Sequence, residues 1–403
     1  MGDWMREVYI AEYVRTPFSR SRPQQPERDV FHKLRGDELM ALVLEELVKR
    51  SNIDKKVVDR IHIGCAMQIW ENWGYGGKMA SILARFPHEV STTCVDMQCA
   101  SSLMTTGLAF LEIASGICDV VISGGFEHMT RVPMGAENPH RFPNPRLLTE
   151  EYIDYRMDIG FVMGLTAEEL FKVANQEFGT TKEDMDKWGV RSHLYAAKAL
   201  KEGYFKGEIM PVEAEQADGR KIVVDSDQSI RADTTLEQVA KLPPAFKPDG
   251  VITAGNSSPL NAGATGLLLM SKEKVKELGI EPIGKIKTYG TAGVPPWIMG
   301  AGPVPACQKA LEKANLKVKD IAFWEINEAF AIVPLYAINK LKIEPERVNI
   351  KGGAIAIGHP LGASGARLIG TLARILQEKG GDYGIATACV GGGQGMAVLV
   401  ERV

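Results

Sequence analysis

A chain of 403 residues, 45% hydrophobic and 24% charged, is ordinary globular material, long enough for two or three domains with real cores. Its 47 basic and 50 acidic side chains give a formal net charge of −3, so nothing general points to nucleic acid or an anionic membrane surface as partner. No apolar run is long enough to span a bilayer, and the opening MGDWMREVYIAEYVRTPF has no signal-type apolar core, so a cytoplasmic protein is expected.

Along the chain, LVLEELVKRSNIDKKVVDRIHIG (Leu42–Gly64) reads as a helix, an Asn-containing break, a charged stretch and a strand. STTCVDMQCASSLMTTGLAFLEIASGICDVVISGG (Ser91–Gly125) then reads as strand, small-residue turn, long helix, break and strand. From about His128 to Ala254 the pattern changes to proline-rich turns (RFPNP, KLPPAFKP), scattered short helices and many charges, a long excursion of the kind that is commonly functional. GVITAGNSSPLNAGATGLLLM returns to small and apolar residues. PACQKALEKANLKVKDIAFWEIN (Pro305–Asn327) echoes the first unit, and VNIKGGAIAIGHPLGASGARLIGTLARILQEKGGDYGIATACVGGG (Val348–Gly393) echoes the second. Alternating strands and helices imply parallel sheets covered by helices, here in two duplicated α/β halves.

Six cysteines, Cys65, Cys94, Cys99, Cys118, Cys307 and Cys389, form no CxxC pair and no zinc-spaced cluster, so neither a disulfide framework nor a metal is expected. Cys65, Cys94, Cys118 and Cys307 are read as small buried hydrophobes. Cys99 lies at a strand-to-helix junction, where the helix dipole and free N–H groups favour a thiolate and Ala100, Ser101 and Ser102 leave room for substrate; the alternative is a structural thiol. His359 occupies the corresponding junction of the second half. If the two halves bring these helix starts together, they supply a nucleophile and its base. Asn327, Glu328 and Phe330 end an apolar strand, where parallel sheets place ligand contacts, although a helix cap uses the same residue types. Cys389 ends the last apolar strand, before the glycines of CVGGGQG.

With RTPF, the Cys99 junction, GGFEHMT, MGLTAE, TAGNSSPLNAG, GAGPVPA, NEAFA, GHPLGASGAR and CVGGGQG in this order, the chain resembles the thiolases from end to end. The resemblance implies an α/β fold, the duplicated thiolase fold, with a five-layered αβαβα core and an inserted loop domain. The halves are then residues 1–128 plus 259–280 and residues 281–403, with a CoA-binding loop domain over 129–258. It implies thiolytic cleavage of a 3-ketoacyl-CoA by coenzyme A, a co-substrate with no tightly bound cofactor beside it. Cys99 would be the nucleophile, His359 its base and Cys389 the second acid and base. His359 with a water on Asn327 would form one oxyanion site, and the N–H groups of Cys99 and Gly391 the other. Arg231 would lie near the adenine, Phe246 and Ser258 along the pantetheine, and Met163, Met299, Ala329 and Phe330 around the acyl group. Side chains in place of the glycines after Cys389 would block the thioester.

Departures concern the acyl pocket: VMG (Val162–Gly164) where short-chain biosynthetic thiolases often have His-Met-Gly, Ala100 where glycine is common and Pro259 where a smaller residue is common. The alternatives are a biosynthetic acetoacetyl-CoA thiolase and a noncatalytic acyl-CoA-binding scaffold subunit. A ketoacyl synthase is disfavoured by NEAFA and Cys389. A homodimer or homotetramer is expected.

Overall fold

The computed structural model describes residues 5–134 and 143–403; Met1–Trp4 of the opening segment and Arg141 and Phe142 of RFPNP lie outside them. The first half runs through β1 (Val8–Arg15), β2 (Ser19–Arg20), α1 (Gly36–Arg50), β3 (Arg60–Gly64), α2 (Lys78–Leu83), β4 (Ser91–Val95), α3 (Ser101–Ala114) and β5 (Val120–His128). The excursion carries α4 (Met157–Gly160), α5 (Met163–Phe178), α6 (Lys182–Lys201), a hairpin of β6 (Val212–Glu215) and β7 (Lys221–Val224), and α7 (Leu236–Ala240). The chain re-enters through β8 (Asn261–Ser271) and α8 (Lys272–Leu278). The second half runs through β9 (Gly284–Gly293), α9 (Pro303–Ala314), β10 (Ile321–Ile326), α10 (Ile332–Leu341), α11 (Ala354–Ile357), α12 (Leu361–Lys379), β11 (Tyr383–Val390) and β12 (Gln394–Glu401).

Three apolar layers hold the halves together. On one outer face, Leu39, Leu44 and Leu47 of α1 pack on Ile61, Ile122 and Leu268. On the other, Cys307 of α9 and Val333 of α10 pack with Trp324, Ile326 and Leu399. Between the sheets, Leu103 and Phe110 of α3 share a core with Ile369 and Leu372 of α12, Leu267 of β8 and Val398 of β12. Read outward to outward, the order is helix, sheet, helix, sheet, helix, as expected.

The central helix α12 is buried along almost its whole length. A helix covered on all sides needs no polar face, and GASGARLIGTLARIL has only a narrow one. Gly365 lets it approach α3: a Cβ there would lie 2.4 Å from the Leu103 nitrogen.

Three expectations change. The sheets are mixed: β3 runs parallel to β4 and β5, and β10 to β11, whereas β8 is antiparallel to both β1 and β5 and β12 to β9 and β11. A three-residue loop joins β11 to β12, and so short a return forces antiparallel pairing. A short antiparallel pairing of Val8–Ile10 with Gly284–Ile286 also joins the two half-sheets into one. Second, the strand expected at Val348 shrinks to a single bridge with Trp324. Asn349 turns left-handed (φ 49°), and its side chain takes over the pairing, accepting from the Ile326 N–H (2.8 Å) and donating to the Ile326 carbonyl (2.9 Å). Third, the excursion is no scatter of short helices, since α5 and α6 have 16 and 20 residues.

Candidate active site

Cys99 sits in a tight turn, Gln98–Ala100, between β4 and α3. The turn is fastened from both sides. The Asp96 carboxylate accepts from the Gln98 N–H (2.8 Å), and Ser101 Oγ donates to the Gln98 carbonyl (2.7 Å) while accepting from the Met97 N–H (3.1 Å). Gln98 itself is left-handed, with φ 47°. The Cys99 thiol is buried and faces its own N–H and that of Gly391. Burial outweighs both donors and pushes the thiol up to about 12. The thiolate expected from the helix start is therefore not the resting form, because desolvation exceeds the help of the N–H groups. Nor do the neighbouring small residues leave open space. Ala100, Ser101 and Ser102 are fully buried, and Ser102 Oγ accepts from the Ala366 N–H (2.9 Å), pinning α3 to α12.

His359 stands at the start of α12, as Cys99 does at the start of α3. Its ring is buried and held at both nitrogens: Nδ1 lies 2.6 Å from Ser364 Oγ, and Nε2 lies 3.2 Å from Asn327 Nδ2. Ser364 Oγ gives its single proton to the Pro360 carbonyl (2.9 Å). It must then accept from the ring, so the network assigns the proton to Nδ1 and leaves Nε2 with its lone pair. Burial, then the nearby Arg367 charge, pushes the imidazole down to about 3. Asn261 Oδ1 fixes the His359 backbone N–H (2.8 Å). Asn327 Oδ1 is buried and has no protein partner.

Cys389 is the penultimate residue of β11 and pairs with Gly395 of β12. Its thiol is pushed well up, first by burial and then by the Cys99 sulfur, which places the two thiols in one electrostatic neighbourhood. Beyond it, Gly392 and Gly393 both have φ 85°, and a Cβ on Gly393 would lie 2.4 Å from the Val294 carbonyl oxygen. Gly395 backs onto the Gly302 backbone. Three of the four glycines thus serve the turn and its packing. Gly391 alone combines an ordinary φ with ordinary room, with a Cβ 3.4 Å from Gln98 Cγ and 3.6 Å from Met163 Sδ.

The two thiols share one electrostatic neighbourhood and the imidazole shares a hydrogen bond with the Asn327 amide, the residue types of the thiolase resemblance. Family models agree: "Thiolase, N-terminal domain" matches residues 8–273 and "Thiolase, C-terminal domain" matches residues 280–402. The chain belongs to the thiolase family. Among its relatives are proteins named 3-ketoacyl-CoA thiolase from Marinobacter nauticus, 42% identical over 99% of each chain, and from Hahella chejuensis, 40% identical over the same share. Among solved structures, the Bacillus anthracis acetyl-CoA acetyltransferase is 35% identical with a TM-score of 0.86, covering 100% of both chains. Human mitochondrial 3-ketoacyl-CoA thiolase is 30% identical with a TM-score of 0.86, over 99% of this chain and 100% of that one.

In this thiolase the residues expected around the acyl group lie in one large apolar cluster. Met299, Ala329 and Phe330 share one buried cluster with Cys389, and Met163 packs against it. The Phe246 ring is 40% exposed and meets the Phe330 ring edge-on at 5.9 Å. The Ser258 N–H donates to the Ala329 carbonyl (3.0 Å). Arg231 stands apart: exposed, with its backbone N–H on His193 Nδ1 (3.2 Å) and its charge close to that of Arg20.

Three residues that position the site, Ser364, Asn261 and Glu127, had no role in the sequence reading, and a fourth, Glu328, was read there only as a strand-end ligand contact or helix cap. Ser364 and Asn261 lie inside quoted motifs, GHPLGASGAR and TAGNSSPLNAG, yet a serine in a helix or an asparagine in a loop carries no signal of its own. Buried Glu127 accepts from the N–H groups of Ala66 (2.9 Å), Met67 (3.2 Å) and Gly362 (3.0 Å), so one carboxylate ties the first half to the start of α12. Burial pushes it up to about 7. Glu328 binds Trp188 Nε1 (2.9 Å), Ser192 Oγ (2.6 Å) and Asn349 Nδ2 (2.8 Å), fastening the excursion to the second half. Among the described residues no helix is long and apolar enough to cross a membrane, and no group of acidic, histidine and cysteine side chains could hold a metal ion.

Proposed function

We propose that the protein is a degradative 3-ketoacyl-CoA thiolase acting in the cytoplasm, in the direction of fatty-acid β-oxidation. The observation that carries the chemistry is the pair of helix starts: Cys99 before α3 and His359 before α12, with the Cys389 thiol in the same neighbourhood. In the first half-reaction Nε2 of His359 takes the Cys99 proton as sulfur attacks the 3-keto carbon. The bond between C2 and C3 then breaks. The acyl group stays on Cys99 as a thioester, and the enolate of acetyl-CoA takes a proton from Cys389. In the second, Cys389 takes the proton of the incoming CoA thiol, whose sulfur attacks the acyl-cysteine. Cys99 leaves and recovers its proton from His359.

Two oxygens carry developing charge. The N–H groups of Cys99 and Gly391 face the sulfur, which supports the reading that they receive the tetrahedral oxygen. His359, with a water on the unpartnered Asn327 Oδ1, serves the enolate oxygen. Loss of one such donor typically slows a reaction about 100- to 1000-fold. The loop domain, residues 129–258, is read as the CoA-binding module, with Arg231 toward the adenine and Phe246 and Ser258 along the pantetheine. Met163, Met299, Ala329 and Phe330 surround the acyl group. A homodimer or homotetramer is supported by β4, which ends the sheet with one side unpaired, next to exposed Trp73, Ile82 and Leu83.

The relatives' names favour 3-ketoacyl-CoA as substrate, and the acetyltransferase structure keeps a short-chain biosynthetic thiolase as the second reading. Thiolysis rates across acetoacetyl-CoA and longer 3-ketoacyl-CoAs decide between them; strict use of the four-carbon substrate would sink the first. In the same assay, Cys99→Ala should abolish acyl-enzyme labelling. Cys389→Ala should still accept an acyl group from a reactive thioester while losing turnover.

A further inference from the structure

Gln98 breaks a local rule beside the nucleophile. A non-glycine residue at φ 47° is strained and persists where its surroundings over-determine it. Here they do. Its backbone N–H is held by Asp96 Oδ1 (2.8 Å), its side-chain Nε2 donates to the same oxygen (3.0 Å), and its carbonyl accepts from Ser101 Oγ (2.7 Å). Nε2 also lies 3.5 Å from the Ala66 carbonyl, and the Ala66 N–H is held in turn by Glu127. The amide end is thus tied down to the first half.

The stem of the side chain reaches the other half. The nearest atoms to a side chain started on Gly391 would be Gln98 Cγ (3.4 Å) and Oε1 (3.5 Å). Gln98 therefore stands directly between the Cys99 turn and the Gly391 loop, which belong to different halves of the chain. Those two segments supply the two N–H groups that face the Cys99 sulfur.

We propose that Gln98 is the positioning residue that sets the spacing of the Cys99 and Gly391 N–H donors for the tetrahedral oxygen. This rests on the acyl-cysteine reading above. Gln98 touches neither substrate nor proton in this scheme. It acts as a strut, anchored by Asp96 and Ala66 at one end and braced against Gly391 at the other, and the strained backbone aims the strut across the gap.

Two reactions of the same sulfur separate this from a general structural role. Acylation by an acyl-CoA needs the oxyanion donors, whereas alkylation by iodoacetamide forms an S–C bond at a saturated carbon, expels iodide and builds no oxyanion. Gln98→Gly removes the strut and, being at ease at positive φ, does not strain the turn. Gln98→Met keeps a stem of similar length and loses the amide anchors. For Gln98→Gly the expected acylation rate is ~10- to 100-fold lower, short of outright donor loss, with the alkylation rate falling much less; Gln98→Met should recover part of the difference. Equal falls in both rates, or acylation untouched in Gln98→Gly, would overturn the proposal. If wild-type enzyme itself fails to acylate on Cys99, the acyl-cysteine reading is at fault, and the strut falls with it.

Discussion

In the proposed mechanism, Ser364 decides whether His359 works as a base through Nε2. The hydroxyl proton is committed to the Pro360 carbonyl, so the only remaining task of Oγ is to accept from Nδ1–H at 2.6 Å. Ser364→Ala leaves that N–H buried with no acceptor. A buried unsatisfied donor costs about 1–3 kcal/mol. The ring has one escape, moving its proton to Nε2, but then the nitrogen facing Asn327 is no longer a base. In either case the productive state is penalised by the same margin. At about 1.4 kcal/mol per factor of ten, kcat falls ~5- to 150-fold. KM for CoA should hold, because Ser364 is fully buried beneath the ring. Initial thiolysis rates at saturating CoA measure the effect, and a urea denaturation midpoint on the same sample separates it from loss of fold. An unchanged kcat in folded Ser364→Ala would refute both the tautomer assignment and the base role built on it.

Two further outcomes follow from the same geometry. Burial depresses the His359 imidazole from 6.5 to about 3. The unfolded chain therefore takes up a proton below about pH 6.5 that the folded one refuses, and this contribution to stability is lost as pH falls toward 3. His359→Asn should flatten the stability–pH slope between pH 6 and 4 by up to about 1.4 kcal/mol per pH unit; urea midpoints showing equal slopes in both proteins would contradict it. The glycines after Cys389 should divide by role. Gly393→Ala, at φ 85° and 2.4 Å from a carbonyl oxygen, should destabilise the fold, by about 1–3 kcal/mol for the backbone strain alone. Gly391→Ala, with contacts no closer than 3.4 Å, should fold normally and lose thiolysis, which thermal melts paired with rates would check.

Much of this architecture was legible because duplication is a property of sequence order. The echo of Leu42–Gly64 in Pro305–Asn327 becomes α1 and β3 against α9 and β10, and the two junction residues land at the starts of two helices packed on each other. What resisted reading was set by contacts between distant segments. The strand at Val348 looked apolar enough, but one asparagine side chain replaced its ladder. Glu127 sits in a run otherwise read as strand, and its importance lies in Gly362, 235 residues away. Gln98 could not be singled out at all, since both its strain and its brace are visible only when β4 and the Gly391 loop are side by side. Small residues after Cys99 were legible as small but not as packed: the partner that fills the space, α12, comes from the other half.

The electrostatics also bear on the order of events at Cys99. With the thiol raised to about 12 and the imidazole lowered to about 3, both groups rest neutral, and a preformed thiolate–imidazolium is uphill. In the proposed mechanism, proton transfer to Nε2 then accompanies attack on the carbonyl carbon. The N–H groups of Cys99 and Gly391 make this feasible, because they face the sulfur before attack and the oxygen that inherits its charge afterwards. The negative charge moves from the sulfur to an oxygen two bonds away, within a field that is already in place. Once Nε2 carries the proton, the Asn327 Nδ2 donor opposite it becomes a mismatch, which leaves the new N–H to the enolate oxygen. A site that keeps its sulfur protonated until a carbonyl arrives spends little time as an exposed nucleophile, and burial of both partners is what enforces that wait.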